Sequence, residues 1–354
     1  MTNDESTRFP TIAVYGASGH TGGYILSDLR RRGLTPILVG RNAQRLRAAA
    51  DAAGLPGAEI RIAAADDRAA LVAALTGADV VISSLPGYVD IGEQILAAAI
   101  EAGAHYVDIS GEQLFTRRAF DEYGPRAEKA GVSVLSGVTD SNLPADLLAD
   151  LLARRLGPAE FVISHHSRAG GDGSRGSAKT VLASLDWFRA GGWHYADGEF
   201  RTGQVDLAPI AHPNATEPTA VAKFAFAAVL TIPRHTDARA VTGAVDEIFR
   251  SNITGLTPEL VASLPERPGP DSDMRYDTVV DARGADGRTL RGVLSGVDSY
   301  RDSGLLAVEA AVRLAAGTAK AGALAPAEAF DAADFLNSLA PHGITWTITN
   351  TVGA

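Results

Sequence analysis

From residue 11 to residue 157, short apolar runs alternate with stretches whose apolar residues recur at helical spacing. The first run, residues 11–15, breaks into glycines at Gly16, Gly19 and Gly22. It then enters residues 24–29, where Ile25, Leu26 and Leu29 share one helical face. That order predicts strand, turn and helix. Further strands are predicted at residues 35–41, 59–67, 105–110 and 132–137, and at 78–87, which runs into a Pro-Gly loop. Helices are predicted between them: one ending near Gly33, an alanine-rich one capped by Asn42, one over residues 91–103, and one that opens at residues 140–144 and ends near Gly157. Alternation on this scale predicts an α/β fold with a doubly wound parallel sheet.

Past Gly157 the pattern changes. Residues 161–167 are strand-like, 168–176 form a polar loop, and 177–190 read as a helix. The apolar segment 221–232 fits either a strand or a helix, and 254–270 is rich in proline with room for a short helix between Pro258 and Leu264. Residues 276–283 and 288–294, joined by a turn at 284–287, predict a β-hairpin, and hence antiparallel sheet unlike that of the first half. A long amphipathic helix follows residue 304, with Leu306, Val308, Ala311, Val312 and Ala315 available for burial, and ends near Gly317.

Composition narrows the function. The chain has 354 residues and 46% hydrophobic content, enough for two cored domains. A net charge of −10 opposes binding to a nucleic-acid backbone, which needs basic surface to displace counterions. Cysteine is absent, which removes thiolate chemistry and fits a reducing compartment, and the eight histidines show no metal-ligand spacing. The acidic, polar residues 1–8 do not resemble a secretory signal, and charges interrupt every long apolar window. The expectation is a soluble cytoplasmic protein with no metal, nucleic-acid or membrane partner.

The candidate chemistry starts at the glycine turn. A dinucleotide pyrophosphate must approach the main chain closely and sit at the positive end of the following helix, so Gly16, Ser18, Gly19, His20, Thr21 and Gly22 are candidate cofactor contacts. Their G-x-x-G-x-x-G spacing departs from G-x-G-x-x-G. Where an NAD-binding chain places an acidic residue after its second strand, this one has Arg41, suited to a 2′-phosphate or merely to starting the next helix; Arg45 lies one turn on. Asp66 stands where an adenine amino group could be met, while Ser84, Leu85, Pro86 and Gly87 fall at the nicotinamide end, and Ser110 closes the fifth strand. Hydride chemistry also needs a proton source. Tyr88, Asp108, Asp140, His165, His166 and Tyr300 are candidates by position, with Asp140, His166 and Tyr300 preferred; each also has an ordinary structural reading. His165 and His166 point to opposite faces of a strand, so only one can face a cleft. Arg168, Arg175 and Lys179 could hold a substrate anion, or simply be solvated.

The motifs Gly16–Gly22, Val39-Gly40-Arg41, Ser84–Gly87 and Tyr106-Val107-Asp108-Ile109-Ser110-Gly111-Glu112 together resemble the NADP-binding half of the saccharopine dehydrogenase family over about the first 145 residues. The resemblance implies a Rossmann-type sheet (1–145) interrupted by an inserted α+β substrate and dimerisation domain (146–297). It also implies a C-terminal segment (298–354) that packs back on the Rossmann domain. NADP is the implied cofactor, with hydride transfer to an imine, enone or ketone of a small-molecule substrate. Relatives in the family carry enoyl reduction, so a trans-acting enoyl reductase of polyketide or lipid biosynthesis is an alternative, as is a non-catalytic NADP sensor. A short-chain dehydrogenase is set aside because no tyrosine has a lysine four residues later. The apolar 221–232 segment and the resemblance together predict a homodimer through the second domain.

Overall fold

Residues 9–170, 173–213, 215–268 and 273–350 are described by a computed structural model, residues 167–169 by their backbone alone. Strands β1 (Ile12–Tyr15), β2 (Ile37–Gly40), β3 (Ile60–Ile62), β4 (Val80–Ser83), β5 (His105–Asp108) and β6 (Ser133–Leu135) pair in parallel. Seven helices lie between or after them: α1 (His20–Arg31), α2 (Ala43–Ala52), α3 (Arg68–Leu75), α4 (Tyr88–Glu101), α5 (Gln113–Arg118), α6 (Gly124–Ala130) and α7 (Asn142–Leu156). β1 and β4 are buried at every residue because helices cover both sheet faces. Alternate residues divide between two cores. Ala13, Val39, Val81 and Tyr106 pack with α3 and α4, while Ile12, Val14, Ile82 and Val107 pack toward α1 and α7. The strand order reverses between β1 and β4, which opens a crevice at their carboxyl ends. Asn42 and Asp67 cap α2 and α3, accepting from the Arg45 and Ala70 amides at 2.9 and 3.0 Å. The expected strand 59–67 is reduced to β3, since residues 63–67 turn toward that cap.

β7 (Ala159–Ala169) leaves α7 almost directly and begins a second sheet. The helix predicted over 177–190 is α8 (Arg175–Ala183) and a short helix Leu185–Arg189, divided at Ser184. The sheet continues with β8 (His194–Ala196), β9 (Glu199–Arg201), β10 (Val221–Lys223), β11 (Ala238–Asp246), and the hairpin β12 (Arg275–Gly284) and β13 (Thr289–Gly296). The hairpin pairs from Tyr276 with Gly296 to Arg283 with Thr289, as its alternating pattern predicts. β7 and β11 run parallel; their other pairings are antiparallel.

The last third serves both sheets. The long helix Ser299–Ala315 lies against α1, so close that a Cβ on Gly304 would come 3.1 Å from the Tyr24 Cβ. It buries Leu305, Ala307 and Ala310 besides the expected Leu306, Val308 and Ala311. β14 (Gly322–Ala323) then adds a seventh parallel strand beside β6. The closing strand differs from expectation. β15 (Thr345–Asn350) pairs with β13 at the far edge of the second sheet rather than on the nucleotide-binding sheet. The 145/146 boundary also falls inside α7, whose Leu148 and Leu152 share one core with Phe161, Val280 and Leu294 of the second sheet. The segment 221–232 is not a free surface. β10 joins β11, Phe224 and Phe226 are buried, and the turn Ala228–Thr231 is closed in by α5 and α7 through Gln113 Nε2 to the Phe226 carbonyl and the Ala228 amide to Asn142 Oδ1. The apolar run that suggested a dimer contact is therefore used within one chain. Among the described residues no helix is long and apolar enough to cross a membrane.

Candidate active site

The glycine loop emerges at the carboxyl end of β1. Gly16 has φ +90°, and a Cβ there would overlap the Ser84 carbonyl; a Cβ on Gly22 would overlap the Gly16 carbonyl. These two glycines let the loop and α1 sit directly on the end of β4. Gly19 differs. It is the N-cap of α1 in extended conformation (φ −78°, ψ 176°), and a Cβ would meet only the Gly16 oxygen, at 3.2 Å. It also brings no side-chain cap, so the first-turn amides of α1 are left for an incoming anion. A pyrophosphate fits this cradle.

Around it stand the other expected contacts. The Ser18 carbonyl accepts from Arg267 Nη2 at 3.2 Å, and the His20 ring packs edge-on against Tyr24 and Tyr300 at 5.3 and 4.8 Å. Burial lowers the His20 pKa. Thr21 follows in the first turn of α1, half-buried. Arg41 ends β2, exposed, and its charge together with that of Asp66 acts on Tyr15 beneath them. Burial is the larger influence on Tyr15 and raises its pKa.

The Ser84–Gly87 loop is held from three sides. The Tyr88 hydroxyl donates to the Ser83 carbonyl at 2.6 Å and accepts from the Leu85 amide at 3.1 Å. Glu112, from the motif after β5, accepts from the Tyr88 and Val89 amides at 2.9 and 3.4 Å, capping α4 just behind Pro86. The Gly87 amide, at φ +70°, donates to Thr180 Oγ1 of α8 at 2.9 Å. Burial pushes the Glu112 carboxyl up to about 7, against the opposing effect of the two amides. Ser110 is fully buried with its hydroxyl 3.3 Å from that of Ser136, so its side chain shapes the end of β5 instead of lining the crevice. Asp108, which accepts from the Ser110 and Gly137 amides at 2.9 Å, is likewise interior, as is Tyr88.

A second cluster lies at the junction of the two sheets. Asp140, in the turn before α7, has Oδ2 2.9 Å from His165 Nε2, and Oδ1 accepts from the Ser303 hydroxyl at 3.2 Å. Burial pushes its carboxyl up, but the bonds from His165, Ser299 and Ser303 outweigh this and hold it below the ordinary value. His165 stacks on Tyr276 at 5.1 Å, whose hydroxyl donates to the buried Asp302 at 3.1 Å. Arg301 Nε and the Val297 amide complete that carboxylate's partners. Thus His165, not the preferred His166, meets Asp140. His166 points to the other sheet face, stacked on His212 at 4.1 Å and 3.6 Å from Asp246. The strand register decides between the two, and the sequence does not print it. Tyr300 sits one helical turn before Ser303; its hydroxyl accepts from the Ser174 amide at 2.8 Å where α8 begins. It therefore ties α8 to the glycine loop. Sequence reasoning overlooked Thr180, Ser303 and Arg267, which come from distant parts of the chain and carry no local signal. Arg175 is bonded to the 264–265 main chain, and the Arg168 side chain lies outside the described residues.

Residues 12–135 match the family model of the saccharopine dehydrogenase NADP binding domain. Among curated proteins, a lipid droplet localized protein of Caenorhabditis elegans is 32% identical over 153 residues, 40% of this chain and 36% of its own length. A trans-acting enoyl reductase of Mycobacterium ulcerans is 32% identical over 148 residues, 41% of this chain and 35% of its own. The matched stretch spans little more than a third of either relative. The apo saccharopine dehydrogenase (L-Glu forming) of Saccharomyces cerevisiae shares the fold, with a TM-score of 0.62 at 14% identity, over 97% of this chain and all of that one. With its glycine cradle, its arginine in place of the ribose-reading acid and the family-model match, residues 12–135 form an NADP-binding domain of the saccharopine dehydrogenase type.

Proposed function

We propose that the chain is an NADPH-dependent oxidoreductase that reduces a polarised double bond, an imine, enone or ketone, of a small metabolite. The observation that carries this reading is the Asp140–His165 pair, a buried carboxylate and an imidazole placed where the second sheet meets the carboxyl end of the nucleotide-binding sheet. When bound, the reduced nicotinamide supplies the hydride. The protein's part is to orient the acceptor and to provide the proton. Asp140 engages His165 Nε2, which fixes the ring and leaves Nδ1 to meet the atom that gains negative charge. Arg41 and Arg45 would hold the 2′-phosphate, and Thr180 and Glu112 fix the Ser84–Gly87 loop that would flank the nicotinamide.

Reduction of an enoyl thioester is the second reading, favoured by the 32% identity of the nucleotide-binding half to a trans-acting enoyl reductase. The test is NADPH oxidation against a panel of imines, enoyl thioesters, other enones and ketones. Turnover with one class identifies the bond reduced. Tight NADPH binding without turnover of any class would instead favour a sensor. We further propose a homodimer through the second sheet, whose edge strands β9 and β15 are open in the single chain. A monomeric mass at micromolar concentration would rule it out.

A further inference from the structure

Residues 264–267 belong by sequence to the second half of the chain, yet they cross the nucleotide crevice. The Leu264 and Pro265 carbonyls accept from Arg175 Nε and the Arg175 amide at 2.7 and 2.9 Å, which anchors the stretch to the start of α8. At its other end Arg267 donates to the Ser18 carbonyl in the glycine loop. Between them Glu266 Oε2 lies 3.3 Å from Arg45 Nη2, while Oε1 lies 4.0 Å from Arg175 Nη1. The strap thus joins the pyrophosphate cradle, the first turn of α2 and α8. Of the two arginines at the adenosine end, Arg45 is held by a carboxylate, and Arg41 has no hydrogen-bond or ion-pair partner among the described residues.

We propose that Glu266 is a specificity-determining residue for the cofactor: it holds Arg45 while the adenosine pocket is empty and yields it to a 2′-phosphate, so that NADPH loosens the strap and NADH does not. This rests on the reading of Arg41 and Arg45 as the 2′-phosphate site. A guanidinium donor engaged by a carboxylate is not free for a phosphate. Both side chains are more than half exposed, at 54% and 62%, so the pair is weak enough to exchange.

The experiment is calorimetric titration of the full chain with NADPH and with NADH. Glu266→Gln should tighten NADPH binding about two- to fivefold, the range of an exposed ion pair, and leave NADH unchanged. In an Arg45→Ala background the same substitution should have no effect on either. Equal shifts for both cofactors, weaker NADPH binding, or an effect that persists without Arg45 would each overturn the proposal. Arg41→Ala separates it from the reading beneath it. If the wild type prefers NADPH and Arg41→Ala reduces that preference, while Glu266→Gln changes nothing, the strap proposal alone fails. A wild type without preference removes both.

Discussion

Gly16 and Gly19 lie three residues apart and answer to different demands. Gly16 combines a positive φ with a carbonyl where its Cβ would be, so Gly16→Ala should destabilise the fold by about 2–4 kcal/mol, read by urea unfolding. Gly19 has ordinary backbone angles and faces the cradle, so Gly19→Val should stay folded and lose NADPH affinity by more than tenfold in calorimetry. The motif was legible in sequence; the division of labour within it was not, because it depends on what β4 places behind Gly16. Two buried titratable groups make stability depend on pH with opposite signs. Burial, then His166 and Arg291, push His212 down to about 4 from 6.5, so the unfolded chain takes up a proton first and stability falls as pH drops from about 6.5 to about 4. Glu112, raised from 4.5 to about 7, contributes stability that is lost as pH rises through that interval. Each proton limits the slope to about 1.4 kcal/mol per pH unit. His212→Leu should flatten the acid limb and Glu112→Gln the limb between 4.5 and 7, both measured as unfolding free energy against pH.

At the scale of elements, β7 shows how far a sequence can be read. Alternation told that His165 and His166 part to opposite faces. The pairing of His165 with Thr278 and of His166 with Asp277 decides which meets Asp140, and register is a property of two strands. His165→Ala should therefore lower turnover about 10²- to 10⁴-fold, the usual contribution of a general acid, with NADPH affinity unchanged. His166→Ala should leave turnover within a few-fold. A steady-state assay on whichever acceptor class is reduced compares them, and equal losses would show that the pair is structural. The segment 221–232 was ambiguous for a physical reason: it is buried on all sides by α5, α7 and the second sheet, so neither a period of 2 nor of 3.6 shows in its sequence. β15 has the opposite difficulty. Its half-buried Trp346 and Ile348 alternate with polar residues, which marks a strand and says nothing about which sheet receives it.

Across the whole molecule, the two sheets are tied by elements that belong to both. α7 lies in the core of each, and the long helix Ser299–Ala315 covers α1 while bringing Ser303 to Asp140 and Asp302 to Tyr276. The expected boundaries at 145 and 297 were close to where the pattern changes, but they cut through this shared core, which local periodicity cannot register. The chain should therefore unfold in one transition, with intrinsic fluorescence and far-ultraviolet dichroism coinciding in urea. A fragment ending at residue 298 should fail to give a cooperative transition, since it lacks the helix over α1 and the strand beside β6.

That last strand has a consequence in time. β6 is synthesised at residue 135 and its neighbour β14 at residue 322. At ordinary translation speeds of about 5–20 residues per second, the interval is about 10–40 s. Throughout it the growing chain carries an unpaired parallel edge and an uncovered face on α1. The nascent protein must be shielded by chaperones or kept from collapsing on its neighbours. Slowing the ribosome between these positions should lower soluble yield without changing the finished protein.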